Sequence, residues 1–133
     1  MTADEKKVDL AKYRIKQAEE SLEEAQFLLS GRKSPRSIIN RAYYAMFYSV
    51  LALLVYESYS SSKHSGVLSY FNKRFIKEGI LPEGIGRSIN RAFEMRQRGD
   101  YREYSELSYE QVAPIIEEAE LFIITVKRYL SLF

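Results

Sequence analysis

The stretch "NRAYYAMFYSVLALL", residues 40–54, is the most apolar part of the chain and decides the fold. Its apolar residues cover nearly every side of a helical turn, which predicts a central helix that is buried almost all round. Ser34 suits the cap of this helix and Pro35 its first position, and we expect it to run to about Tyr59. The tyrosines and the arginine within it are unusual for a core helix.

Four more helices are predicted from apolar residues that recur three and four positions apart. They cover residues 4–30, 63–77 and 82–98, and a last segment that starts at a capping box of Ser108 and Gln111 and continues to Leu130. Gly31 is a natural stop for the first of them. The sequence therefore predicts an all-α fold, an up-and-down antiparallel bundle of four long helices plus a fifth, in a single domain over residues 1–133.

The composition of the chain limits the kinds of catalytic site, metal site and membrane contact that it can have. The 133 residues include no cysteine and one histidine, so thiolate chemistry and a histidine-cluster metal site are excluded, and we expect neither a metal nor a cofactor. The longest apolar run is about 15 residues, short of the roughly 20 that cross a membrane. The charged first residues do not resemble a signal peptide. We expect a soluble, cytoplasmic protein that does not contact membranes.

Net charge is +2, too small to indicate nucleic acid by itself. Residues 63–104 contain nine Lys and Arg against five Asp and Glu. This excess forms either a basic patch or a solvated helix face, and the solvated face is the simpler interpretation.

Two polar residues fall on apolar helix faces. Arg96 is in line with Ile89 and Ala92, whereas the other charged residues of that helix lie opposite. A buried guanidinium needs a carboxylate, a route to solvent or an anionic ligand. His64 begins the apolar face of the third helix, where it is either a structural residue or an acid–base group.

Aromatic residues accompany basic ones at two places. Arg41, Tyr44 and Tyr48 share one face of the central helix, which suits contact with a second helix or a nucleotide, or hydrogen bonding within the bundle. Tyr101 and Tyr104 lie beside Arg98 in a polar segment that could stack bases and contact phosphates.

Three segments, "INRAYYAMFYSVLALL", "KHSGVLSYFNKRFIKEG" and "FEMRQRGDY", resemble in this order the marks of the HEPN domain family, in its uncharacterised-family branch. The resemblance covers nearly the whole chain. It implies a five-helix bundle, a homodimer, and a cytoplasmic prokaryotic protein made beside a minimal nucleotidyltransferase in toxin–antitoxin operons. Active HEPN domains are metal-independent ribonucleases that carry an arginine, four to six residues and a histidine at the dimer cleft.

The resemblance implies roles for individual residues. Arg96 matches the family arginine, but no histidine follows it at the family spacing, and Asp100 with Tyr101 resembles the Asp-Tyr variant of this branch. His64 matches the Lys-His pair of the branch and is a candidate for the missing imidazole. Tyr104 loosely resembles the tyrosine that receives a nucleotidyl group in some HEPN toxins.

Two functions stay open. The first is a HEPN protein that binds nucleotide or RNA beside a nucleotidyltransferase, with weak metal-independent endoribonuclease activity as the enzymatic candidate. The second is an inactive homodimeric adaptor. The catalytic candidates are Arg96, His64, Asp100 and Tyr101, and the nucleotide-binding candidates are Arg41, Tyr44, Tyr48, Arg98 and Tyr104.

Overall fold

The computed structural model describes residues 1–100 and 107–133, and only the backbone of Asp100. Its helices are α1 (Ala3–Ser30), α2 (Pro35–Leu54), α3 (His64–Phe71), α4 (Glu83–Asp100) and α5 (Tyr109–Leu130), and a π-helical turn, Asn72–Lys77, continues α3. Neither described range contains a strand. The predicted all-α fold of four long helices and a fifth is confirmed.

Side-chain caps fix where α2 and α5 begin. The Ser34 hydroxyl accepts a hydrogen bond from the Ser37 amide at 3.2 Å, and Pro35 is the first helical residue, as predicted. Ser108 and Gln111 form the predicted capping box, each side chain accepting from the backbone amide of the other at 3.2 and 2.9 Å. Such caps satisfy amides that have no partner within the helix.

The central position of α2 is also confirmed. It packs against α1, α4 and α5, and twelve of its 20 residues are buried. The face of α1 that packs on it is rich in small buried side chains, Ala11, Ala18 and Ala25. Because interhelical distance depends on the side chains at the contact, α1 and α2 can lie close together.

One predicted helix boundary is wrong. α2 ends at Leu54 rather than near Tyr59, because contacts with α3 hold the following segment outside the helix. The Tyr59 hydroxyl donates to the Gly66 carbonyl at 3.1 Å, and its ring stacks on Tyr70 with centroids 4.2 Å apart. Serine and tyrosine are weak helix formers, so these tertiary contacts decide the outcome.

The other difference lies in the third helix, whose last six residues form a π turn instead of regular α-helix. The Asn72 side-chain amide donates to the Leu68 carbonyl at 2.9 Å and to the Asn90 side chain at 3.0 Å. A side-chain donor of this kind competes with the backbone ladder. Gly86 lets α4 approach this turn, since a Cβ there would lie 3.0 Å from Ile76.

The α1–α2 connection is attached to the start of α5. α1 ends at Ser30, as predicted, but Arg32 rather than Gly31 has the positive φ, at 53°. The Arg32 carbonyl accepts a hydrogen bond from the Tyr109 hydroxyl at 2.6 Å, and the Arg32 guanidinium lies 4.0 Å from the centroid of the Tyr109 ring.

Among the helices of the described ranges, none is long and apolar enough to cross a bilayer.

Candidate functional site

Arg96 lies at the contact between α4 and α2. Its guanidinium carbon is 5.3 Å from the centroid of the Tyr43 ring and 5.2 Å from that of Tyr44. One terminal nitrogen donates a long hydrogen bond, 3.4 Å, to the Tyr44 hydroxyl, while the buried Nε has no partner among the described residues. No carboxylate of the described residues forms an ion pair with Arg96. Among the described residues, the positive charge is therefore met by the faces of two tyrosine rings and one tyrosine hydroxyl.

Helical spacing explains why this arginine faces inward. Ile85, Ile89 and Ala92 are buried on the same side of α4, and Arg96 follows in the same line. The other arginines of α4 are exposed, and each meets a carboxylate: Arg87 with Glu83 at 3.6 Å, Arg91 with Glu118 at 3.1 Å, and Arg98 with Glu94 at 3.9 Å.

His64, the first residue of α3, contacts the same tyrosines. Its ring stacks on Phe47 with centroids 4.1 Å apart, and its Nδ1 is 2.9 Å from the Tyr43 hydroxyl. The Tyr44 ring lies edge-on to it at 5.6 Å. Partial burial, and then the positive charge of Arg96, lower the pKa of His64 below its ordinary value. At neutral pH the imidazole is therefore mostly uncharged.

Tyr43 connects the two predicted residues. It is fully buried, packs against Phe93 at 5.7 Å, and contacts both Arg96 and His64. Burial raises the pKa of its hydroxyl above the ordinary range, with Arg96 opposing the effect only in part. We call Tyr43, Tyr44, Phe47, His64, Phe93 and Arg96 the Arg96–His64 cluster.

Arg96, His64 and Tyr44 are candidate site residues from the sequence, and the structure brings all three together. It also adds Tyr43, Phe47 and Phe93, which were missed. The signal for Tyr43 was the tyrosine pair in "AYYAM", but helical spacing alone puts this residue next to the candidate face rather than on it. Only the packing of α3 on α2 shows that it contacts His64.

The other nucleotide-binding candidates lie in different surroundings. Arg41 stands 5.0 Å from the Tyr44 ring centroid and pairs with Glu24 at 3.3 Å, and Tyr48 packs against Tyr44 at 5.6 Å. They therefore form a half-buried strip beside the cluster. Arg98 is exposed and does not join it. The side chain of Asp100, and all of Tyr101 and Tyr104, lie outside the described residues.

The arrangement combines a guanidinium that has no carboxylate partner among the described residues, a neutral imidazole and several aromatic rings. A guanidinium binds phosphate or carboxylate with paired hydrogen bonds, and aromatic rings stack on bases. Within the described ranges, no three His, Cys, Asp or Glu side chains are grouped as ligands for a metal ion. The cluster is thus suited to an anionic ligand that has a planar ring.

Comparison with known proteins identifies the family. The model of the HEPN domain matches residues 11–129, so the chain belongs to the HEPN family and the resemblance is confirmed. The chain is 40% identical over 125 residues to a "UPF0332 protein" of Thermotoga maritima, with 94% of each chain covered.

Two further relatives come from Methanocaldococcus jannaschii. The chain is 37% identical over 117 residues to "Putative toxin MJ0605", covering 88% of this chain and 86% of the relative. It is 36% identical over 116 residues to "Putative toxin MJ0142", covering 87% and 78% respectively.

Proposed function

We propose that this HEPN protein is toxin-like and binds RNA or a nucleotide by placing a phosphate group at the Arg96–His64 cluster. One observation carries the proposal: the Arg96 guanidinium is partly buried between α4 and α2, yet no carboxylate of the described residues neutralises it. The names of the two Methanocaldococcus relatives support the toxin-like part.

An anionic ligand would complete the coordination of Arg96. Hydrogen bonds between charged partners are about twice as strong as neutral ones, and a guanidinium can hold two phosphate oxygens at once. Tyr44 is half-buried, and the Arg41 guanidinium lies 5.0 Å from its ring centroid, so a base that stacks on this aromatic strip would lie near the phosphate. The proposed ligand therefore has both a phosphate and a base.

If the bound ligand is RNA, the reaction proposed for the cluster is RNA cleavage. Attack by a 2′-hydroxyl on the adjacent phosphate builds negative charge, which Arg96 would stabilise. The family pattern has an arginine, four to six intervening residues and then a histidine, and the corresponding positions here hold Tyr101, Arg102 and Glu103. His64 supplies an imidazole from another helix instead. We expect weak cleavage that proceeds without a metal ion.

The decisive experiment incubates the purified protein with total RNA in the presence of EDTA. The Arg96→Ala variant is compared with Arg87→Ala, which removes an exposed arginine from the same helix. Cleavage should persist in wild type and Arg87→Ala and disappear in Arg96→Ala. Activity that survives Arg96→Ala, or that EDTA abolishes, would show that the site lies elsewhere.

Partners form the second part of the proposal. The half-buried strip of Arg41, Tyr44 and Tyr48 would face a second copy of the chain, and it adjoins a groove that contains the exposed Phe27. A minimal nucleotidyltransferase would be the other partner, with Tyr104 as the acceptor of a nucleotidyl group. Asp100, Tyr101 and Arg98 would line the approach to Arg96. Light scattering that reports a monomer at micromolar concentration would contradict the homodimer.

A non-enzymatic adaptor is the second candidate function. The lack of a histidine at the family spacing after Arg96 favours it. An adaptor would form the same homodimer but neither bind nor cleave RNA, so wild type and Arg96→Ala would be alike in both assays.

A further inference from the structure

The direction of the hydrogen bond between Tyr43 and His64 depends on which ring nitrogen of His64 carries the proton. The Tyr43 hydroxyl is fully buried, and its hydrogen-bond partner among the described residues is Nδ1 of His64, at 2.9 Å. A neutral imidazole carries its proton on one nitrogen only, and the other nitrogen accepts. The direction of this hydrogen bond therefore decides whether the other nitrogen, Nε2, carries the proton or a free lone pair.

Burial favours Tyr43 as the donor. If Nδ1 carried the proton, the tyrosine oxygen would accept a hydrogen bond from it, and the buried phenol O–H would have no acceptor among the described residues. A buried donor without a partner loses its hydration and gains nothing in return. If Tyr43 donates, only a lone pair stays unused, which is common for hydroxyl oxygens. The raised pKa of Tyr43 keeps the donated proton on the phenol.

The surroundings of His64 also disfavour its charged form. Tyr43 and Tyr44 face it from α2, and Arg96 lies on the α4 side, where its charge opposes an imidazolium. His64 is the first residue of α3, and the amino end of a helix carries partial positive charge. No carboxylate of the described residues contributes to its pKa shift.

We infer that Tyr43 holds His64 as a neutral imidazole protonated on Nε2, and that His64 therefore serves the site as a hydrogen-bond donor to a phosphate oxygen. The inference rests on the proposed function, because the phosphate is the ligand proposed there. Tyr43 is a positioning residue that acts through His64. With Nδ1 already accepting from Tyr43, the imidazole has no free lone pair for a 2′-hydroxyl proton. This makes His64 unsuited to be the general base and explains why cleavage should be weak.

The first test needs no RNA. His64 is the one histidine of the chain, so ¹⁵N NMR of histidine-labelled protein reports on it without assignment. In wild type near neutral pH, Nε2 should appear protonated and Nδ1 as an unprotonated acceptor. Tyr43→Phe keeps the buried ring but removes the donor, so a population protonated on Nδ1 should appear. A proton on Nδ1 in wild type, or an imidazolium at neutral pH, would overturn the inference.

The second test separates donation from proton transfer. In His64→Gln the amide can put an N–H where Nε2 stood, whereas in His64→Asn the shorter side chain can accept from Tyr43 but does not reach the ligand. Affinity for a single-stranded RNA oligonucleotide should stay within about twofold of wild type in His64→Gln and fall about tenfold or more in His64→Asn and His64→Ala, as expected for one hydrogen bond to a charged phosphate.

The outcomes of the two tests are distinguishable. Equal losses in the Gln and Asn variants, with cleavage that follows the titration of His64, would overturn the donor role and restore proton transfer. If wild type binds no RNA, the proposed function fails and the donor role fails with it, while the tautomer is still decided by the NMR spectrum. A thermal melt of each variant checks that the bundle has kept its fold.

Discussion

Two arginines of α4, Arg91 and Arg96, make opposite kinds of contact with their neighbouring helices. Arg91 reaches α5, where its Nη1 lies 3.1 Å from both carboxylate oxygens of Glu118, and this carboxylate also accepts from Ser88 at 2.8 Å. Arg96 reaches α2, where it meets the faces of two tyrosines. The Arg91 charge is neutralised by Glu118 and helps to attach α4 to α5, whereas the Arg96 charge meets no carboxylate among the described residues.

The largest expected difference between the two arginines is in RNA affinity. Arg96→Ala should weaken binding of a single-stranded RNA about tenfold to a hundredfold at low salt, since a hydrogen bond to a charged group contributes about 1.5–3 kcal/mol. Arg91→Ala should change affinity less than about twofold. Fluorescence anisotropy over a range of salt should also show a slope that falls by about one in Arg96→Ala. Equal losses of RNA affinity in Arg96→Ala and Arg91→Ala would show that Arg96 has no special role in RNA binding.

The ion pair between Arg91 and Glu118 should contribute to stability rather than to RNA affinity, and removing Glu118 tests this. Glu118→Ala leaves Arg91 without its partner and takes one acceptor from Ser88, so we expect a loss of about 1 kcal/mol in the free energy of unfolding. Glu83→Ala breaks an exposed pair with Arg87 on one helix and should cost less than about 0.5 kcal/mol. Urea denaturation measures both. RNA affinity that falls along with stability in Glu118→Ala would link the two contacts.

A third variant tests whether Arg96 contributes to the fold. Arg96→Met keeps much of the side-chain volume, loses the contacts with two rings, and removes a partly buried charge whose Nε has no partner. These effects oppose each other, so stability should change by less than about 1 kcal/mol. The measurement is again urea denaturation, with Arg91→Met as the matched change. A loss of more than about 2 kcal/mol would make Arg96 a structural residue.

The smallest expected effect concerns pH. The pKa of His64 is lowered in the folded protein, so below its unfolded value of about 6.5 the unfolded chain binds the proton more readily. Stability from this group is present in full above that value and is lost as the pH falls toward the lower folded pKa. His64→Asn should lack this component, and the difference appears when urea midpoints at about pH 7.5 and 5.5 are compared for both proteins. Identical pH dependence would contradict the lowered pKa.

The sequence predicts those parts of the fold that depend on neighbours along the chain. Ser34 with Pro35, and Ser108 with Gln111, start helices because their side chains bond to amides three residues away. The inward position of Arg96 follows in the same way from helical spacing. A local pattern is enough wherever the partner is within one or two helical turns.

The parts that could not be predicted depend on contacts between distant segments. His64 contacts Tyr43, which is 21 residues away in the sequence, because α3 packs on α2. Tyr59 lies outside α2 for the same reason, since its hydroxyl donates to the Gly66 carbonyl in α3. Periodicity gives the buried face of a helix but not the helix that covers it. The roles assigned to Asp100, Tyr101 and Tyr104 stay predictions, since those side chains lie outside the described residues.

The link from Tyr109 to Arg32 has a consequence for the order in which the molecule can be made. It joins residues 77 positions apart, and α5 packs against both α1 and α2. On the ribosome, α5 emerges after every residue of the Arg96–His64 cluster, yet α2, which carries three of them, has no complete core until α5 arrives. Native assembly of the cluster therefore waits for residues near 130 to leave the exit tunnel, so a nascent or prematurely terminated chain would present an unfinished site.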